Sequence, residues 1–305
     1  HRSHYKNQTI IMSYRKEKFM SLAGGASLSM TTNELKEMAR KLLDAGIHGI
    51  CFSAYDEGQA PGDQLTDAQI RRKLEILKPH VKWIRTFSCT EGNEIIARIA
   101  HDLGIKTLVG AWLSSDVEKN DEEIEALIAL CKEGAVDVAA VGNEVLYRED
   151  LNAAELLHYI KRVKNEVNGV PVGYVDAYYE FTAHPEISDT CDVILANCYP
   201  YWEGCSLEYS LMYMKHMYQE AMAAGNGKRV IITETGWPSS GQSLGGAKPS
   251  FDNYLKYFIN AVSWSNESDI EMFYFSSFDE SWKIEKEGDV GASWGLWDKN
   301  EKLKF

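Results

Sequence analysis

Apolar runs of strand length recur eight times along the chain, at 49–54, 81–88, 106–113, 136–142, 170–175, 193–198, 229–233 and 271–277. Their apolar character is nearly continuous and does not alternate cleanly, which predicts parallel strands covered on both faces. Between them lie segments with the spacing of amphipathic helices, at 67–77, 94–103, 122–131, 153–167, 207–224 and 253–264. Asp121-Glu-Glu-Ile-Glu-Ala-Leu-Ile-Ala-Leu shows the pattern, with acids at the positive end of the helix dipole and an apolar stripe behind them. The helix expected at 178–187 is short and interrupted by Pro185.

Eight alternations of strand and helix predict a closed (β/α)8 barrel, the TIM-barrel class of α/β fold, more economically than an open sheet. No Gly-x-Gly-x-x-Gly or Gly-x-x-x-x-Gly-Lys pattern follows a predicted strand, which excludes the usual doubly wound nucleotide binders. Ahead of the first strand, 32–46 reads as a helix with a Thr or Asn cap and a Gly stop, expected to cover the bottom of the barrel. With no interdomain linker in view, residues 1–305 read as a single domain, 1–47 being an N-terminal extension and helix before the first strand.

Charge narrows the partners. Lys and Arg number 32 against 45 Asp and Glu, and the resulting net charge of −13 repels phosphate backbones and anionic lipid heads. Neither nucleic acid nor a membrane is expected, whereas a neutral polysaccharide would be indifferent to the charge. No apolar run reaches the roughly 18 residues a membrane span needs. The opening His1-Arg-Ser-His-Tyr-Lys-Asn has no initiator Met and no apolar stretch, so it does not read as a signal peptide and gives no compartment. Cys51, Cys89, Cys131 and Cys191 fall within or at the ends of apolar segments, where buried thiols are expected. Cys198 and Cys205 flank a predicted loop and are the pair best placed for a disulfide. Cysteine and histidine spacing does not suggest zinc, and no metal or organic cofactor is expected.

Two of the predicted strands end in a glutamate followed by a turn, in Val-Gly-Asn143-Glu144 and Ile-Ile-Thr-Glu234-Thr-Gly-Trp-Pro. In a barrel of this class the strand C-termini form one mouth, where the ends of the fourth and seventh strands can face each other. Cleavage of an acetal needs such a pair, one carboxyl to protonate the leaving oxygen and one to attack the anomeric carbon. The first must be protonated and the second ionised at the same pH. Apolar packing or a neighbouring anion is therefore expected at Glu144, and hydrogen-bond donors at Glu234. Arg85, in an otherwise apolar strand, and Tyr199 are the candidate donors, since a buried Arg without a carboxylate partner would be costly.

These two segments resemble the signatures of glycoside hydrolase family 17, the β-1,3-glucanase family of (β/α)8 barrels. Phe278-Asp-Glu280-Ser-Trp282-Lys283 and Trp294-Gly-Leu-Trp297-Asp298 add two matches in the same order, and the resemblance runs from about Gly49 to Asp298. It implies an endo-acting, retaining enzyme on β-1,3-glucan, with Glu144 as acid/base and Glu234 as nucleophile. It also implies a bond from Asn143 to the sugar 2-hydroxyl, and support of the acid by Glu280, with Lys283 holding the Glu280 charge in place. A secreted or periplasmic monomer is the corresponding expectation.

Pyranose rings pack their C–H faces on aromatic planes, and aromatic residues cluster in the predicted loops, Trp112 and Tyr147 among them. Tyr55, Tyr201, Trp202, Trp237 and Trp282 are the expected sugar contacts. Plant members of the family carry a long excursion between the positions of Tyr199 and Glu234. Here Tyr-Pro-Tyr-Trp-Glu-Gly runs almost directly into a helix, which looks more like bacterial members, several of which resemble transglycosylases. Two alternatives stay open: a β-1,3-glucan transglycosylase using the same glutamates, and a non-catalytic glucan-binding barrel. The carboxyl pair weighs against the second, because binding needs aromatics alone.

Overall fold

The computed structural model describes residues 29–305. Eight parallel strands close on themselves in sequence order: β1 (Ile47–Cys51), β2 (Val81–Arg85), β3 (Lys106–Ala111), β4 (Val138–Asn143), β5 (Val172–Ala177), β6 (Val193–Asn197), β7 (Arg229–Thr235) and β8 (Met272–Tyr274). Each overlaps one predicted run, and the chain is a (β/α)8 barrel. Outside the strands stand α1 (Thr32–Asp44), α2 (Asp67–Leu77), α3 (Glu94–Asp102), α4 (Val117–Lys132), α5 (Ala153–Glu166), α6 (Glu180–Ala183), α7 (Pro185–Thr190), α8 (Leu207–Gly225) and α9 (Phe251–Ser268). After β8 come only short turns and α10 (Ile284–Glu287).

Local chemistry sets where the helices start. Thr31 caps α1 by accepting the Glu34 N–H while Glu34 accepts the Thr31 N–H, so two otherwise orphaned donors are satisfied. Helix α4 begins ahead of the expected 122 because Asp116 accepts the Lys119 N–H at 3.2 Å. The 178–187 segment is two helices broken at His184, with Pro185 opening the second, where its missing N–H costs nothing.

The first helix does not cover the bottom of the barrel. Thr32 Oγ1 donates to Asp252 Oδ1 at 2.8 Å, in the first turn of α9, so α1 and α9 start at one level and run side by side. Leu35, Ala39 and Leu43 bury one stripe of α1. Only Ala45 and Gly46 separate α1 from β1, so the chain turns straight back into the barrel and leaves the helix upright in the outer ring. The first 28 residues, where the rest of the expected extension falls, lie outside the described residues.

The expected cysteine pair is not bridged. Cys198 and Cys205 are both buried free thiols, donating weakly to the Ala196 carbonyl at 3.8 Å and the Ser206 carbonyl at 3.3 Å. At the mouth, β7 and β8 approach so closely that a Cβ on Gly236 would sit 2.2 Å from the Phe275 carbonyl oxygen. The glycine after Glu234-Thr235 is required by that approach.

Candidate active site

Glu144 follows β4 directly and Glu234 is the penultimate residue of β7, so both stand at the C-terminal mouth. Arg85 ends β2, Asn143 ends β4 and Asn197 ends β6. Four strand ends thus deliver five polar side chains to one place, from strands that are otherwise mostly apolar and buried.

Glu234 is 7% exposed and meets a donor at each oxygen. Arg85 Nη2 donates to Oε2 at 2.9 Å, and the Tyr199 hydroxyl donates to Oε1 at 2.7 Å. Arg85 itself is 1% exposed, and the same Nη2 donates to Asn143 Oδ1 at 2.8 Å, which ties the end of β4 to β7. Its guanidinium lies 4.1 Å from the Phe87 ring centroid. Glu234 is therefore the carboxylate partner that the buried Arg requires. Burial, with the Glu234 charge second, pushes the Tyr199 phenol well above its ordinary range, so it keeps the proton it donates.

Glu144 has different surroundings. Its carboxyl accepts one side-chain hydrogen bond, from Asn197 Nδ2 at 3.1 Å. Asn197 is aimed by Thr233, whose hydroxyl donates to Asn197 Oδ1 at 2.7 Å. Burial raises the Glu144 pKa, the Glu234 charge raises it further, and the Asn197 bond, Arg148 and Arg85 oppose them. The two carboxyls are thus close enough to interact and are differently solvated, which is how one acid of a pair is kept protonated beside an ionised partner.

Glu280 and Lys283 sit together beyond β8, 3.5 Å apart and mostly buried, so they are not a loose surface pair. Lys283 Nζ lies 4.2 Å from the Phe275 ring centroid. Glu280 Oε2 and the Trp282 indole nitrogen are buried without a hydrogen-bond partner among the described residues. Tyr55 packs edge-on against Trp282 and accepts from Asn93 Nδ2 at 3.3 Å, leaving both rings half-buried.

Two expected sugar contacts are removed by burial. Tyr201 is 2% exposed under the rings of Trp202, Trp237 and Trp294, and its hydroxyl donates to the Gln242 carbonyl. Trp237 is 0% exposed and donates its indole N–H to the Lys248 carbonyl at 3.0 Å. Both belong to the packing beneath the mouth. Trp202 is the exposed member of this group at 39%, resting on Trp294 with ring centroids 5.6 Å apart. Across the mouth, Trp112 and Tyr147 follow β3 and β4 and are 37% and 58% exposed, with the Arg148 guanidinium 4.6 Å from the Trp112 ring centroid. Sequence reasoning placed these two in the aromatic cluster without choosing them. It missed Asn197 and Thr233, although Asn197 lies two residues from Tyr199.

Comparison with known proteins finds relatives named for action on β-1,3-glucan. A glucan 1,3-beta-glucosidase of Candida albicans is 29% identical over 258 residues, spanning 76% of this chain and 83% of that protein. A probable glucan endo-1,3-beta-glucosidase, btgC, of Aspergillus fumigatus is 26% identical over 270 residues, covering 77% of this chain and 39% of that one. Among solved structures, the glycoside hydrolase family 17 beta-1,3-glucanosyltransferase from Rhizomucor miehei superposes with a TM-score of 0.77 at 29% identity, covering 86% of this chain and 96% of that chain. An active-site mutant of that enzyme has been solved with laminaritriose. Residues 49–295 match the BtgE/BtgC glycoside hydrolase domain, and the chain belongs to that family.

Proposed function

We propose that the chain is an endo-acting, retaining glycoside hydrolase of β-1,3-glucan, with Glu234 as nucleophile and Glu144 as acid/base. One observation carries the reading: two carboxyls on facing strand ends, one clamped by Arg85 and Tyr199 and the other half-desolvated beside it. In the first step Glu234 attacks the anomeric carbon while Glu144 gives its proton to the leaving glycosidic oxygen. In the second, Glu144 takes a proton from water, which displaces Glu234 from the same carbon. Arg85 and Tyr199 hold the attacking oxygens in place, and Arg85 also fixes Asn143, leaving its amide nitrogen for the sugar 2-hydroxyl. The buried, unpartnered Glu280 Oε2 and Trp282 Nε1 are suited to sugar hydroxyls. No step calls for a cofactor. The short passage from Tyr199 to α8 is the ground for reading the chain as bacterial-type and not plant-type within its wider family.

Transfer to a second sugar is the other outcome of the same chemistry, and Trp202 favours it. Its exposed indole, backed by Trp294, offers a face to an acceptor ring beside Tyr199. Products of a laminari-oligosaccharide separate the readings: shorter sugars mean hydrolysis, sugars longer than the starting one mean transfer, and unchanged sugar means a binding barrel and defeats both. Trp202→Ala is expected to lower the ratio of transfer to hydrolysis several-fold, because one aromatic platform contributes on the order of 1 kcal/mol. An unchanged ratio would take Trp202 out of the acceptor site.

A further inference from the structure

Tyr174 and Asp176 lie two residues apart on β5 and share one face of the strand; both are fully buried. Neither belongs to the set around Glu234, yet together they reach the turn that carries Glu144. That turn is an unusual one. Glu144 has φ of 54°, in the left-handed region that a residue with a side chain enters only when its surroundings hold it there. The register between β4 and β5 also shifts just before it, between Ala140 and Asn143.

Strand β5 supplies the holding bonds. The Glu144 N–H donates to the Val175 carbonyl at 2.8 Å, and the Leu146 N–H donates to the Tyr174 phenolic oxygen at 3.0 Å. The phenol passes its own proton toward Asp176 Oδ2, and Asp176 Oδ1 accepts the Ala177 N–H at 2.7 Å. A phenol has one proton to donate, so accepting from Leu146 and donating to Asp176 fixes its direction. Asp176 thereby orients the group that holds the main chain two residues past Glu144.

We infer that Tyr174 and Asp176 form a buried brace that positions the acid/base, with Asp176 as a positioning residue held out of the sugar's reach by Tyr174 and β5. The inference rests on the assignment of Glu144 as acid/base. Burial holds the Asp176 carboxyl up to about 7, with Glu144 and Glu180 adding to the rise and the bonds from Tyr174 and Ala177 opposing it. Glu144 in turn feels Glu234, Asn197, Arg148 and Arg85. Raised that far, Asp176 is largely neutral below about pH 7, so the brace acts through position and not through charge.

The test compares wild type, Asp176→Asn and Tyr174→Phe on a laminari-oligosaccharide and on an aryl β-glucoside with a good leaving group, across pH. Both variants should lose about tenfold or more in kcat/KM on the oligosaccharide and much less on the aryl glucoside, which needs little protonation. The alkaline limb of Asp176→Asn should stay where it is, since a carboxyl held up to about 7 carries little charge below that pH. Melting temperatures check that each variant is folded, and Tyr174→Phe carries the leaving-group comparison if Asp176→Asn is not. Equal losses on both substrates, or no loss at all, would overturn the brace while the acid/base assignment stands. If wild type turns over neither substrate, the assignment falls and the brace with it.

Discussion

Glu234→Gln is expected to lower turnover of a β-1,3-linked oligosaccharide by at least about a thousandfold, while binding changes by no more than a few-fold. The substitution keeps the shape of the side chain but replaces an attacking oxygen by an amide. The structure adds a second consequence. Both Glu234 oxygens face donors, Arg85 Nη2 and the Tyr199 hydroxyl, and an amide can satisfy only one of them with its oxygen. Either the phenol turns its proton elsewhere or the buried Arg85 loses the one carboxylate partner it has among the described residues. The second choice costs several kcal/mol, so the amide nitrogen should settle on the Tyr199 side. A modest fall in melting temperature should accompany the kinetic loss. Calorimetric titration with a laminari-oligosaccharide and a rate measurement on the same preparation test both parts. Turnover within tenfold of wild type would remove Glu234 as nucleophile.

The barrel was legible because parallel strands covered on both faces leave near-continuous apolar runs, and nothing else in the chain imitates eight of them. Their ends were less legible for a physical reason. The first run was expected to reach 54, yet β1 stops at Cys51: the Phe52 N–H donates the last bond to β2, to the Arg85 carbonyl at 2.9 Å, and Phe52 and Ala54 stay buried as the loop begins. Apolar character reports burial and not pairing. The same confusion carried the eighth run past Tyr274, where Phe275 leaves the sheet but stays in the core. Helix α9 erred the other way. Its last turn, Ser-Asn-Glu-Ser, has no apolar stripe, and the helix ends only where Asp269 turns left-handed at φ 53°.

At the site, what could be read was whatever stands next to a strand end in its own motif. Glu144, Asn143 and Glu234 are of that kind, and Arg85 was conspicuous as a lone charge in an apolar strand. Asn197 was not, since an Asn before Cys-Tyr-Pro reads as a turn former, and its partners come from β7 and from the turn after β4. Tyr174 and Asp176 were hidden for the same reason. Their meaning depends on a neighbouring strand's register, which no local pattern carries. Tyr201 and Trp237 show the converse error. Both lie within three residues of site positions, but proximity along the chain does not say which way a ring points, and both fold back beneath Trp202.

Glu144→Gln should give a loss that depends on the leaving group. On a laminari-oligosaccharide, whose leaving alkoxide must be protonated, the glycosylation rate should fall about 10²- to 10⁴-fold; on an aryl glucoside with a good leaving group it should change little. The substitution is a clean one here, because the amide oxygen can still accept from Asn197 Nδ2 and the backbone bond to Val175 is untouched. Structural disturbance would slow both substrates alike. The pH profile offers a second check with a definite sign. Wild type needs Glu144 protonated, so its rate falls as pH rises through the Glu144 pKa, which burial and the Glu234 charge place above the ordinary carboxylate range. A glutamine carries no such proton to lose, and the alkaline limb assigned to Glu144 should vanish from the variant. With the aryl substrate the missing group becomes the base of the second step, so glycosyl-enzyme should accumulate and appear as a burst of released phenol. Equal slowing on both substrates under conditions where glycosylation limits the rate, together with a retained alkaline limb, would show that another group supplies the proton.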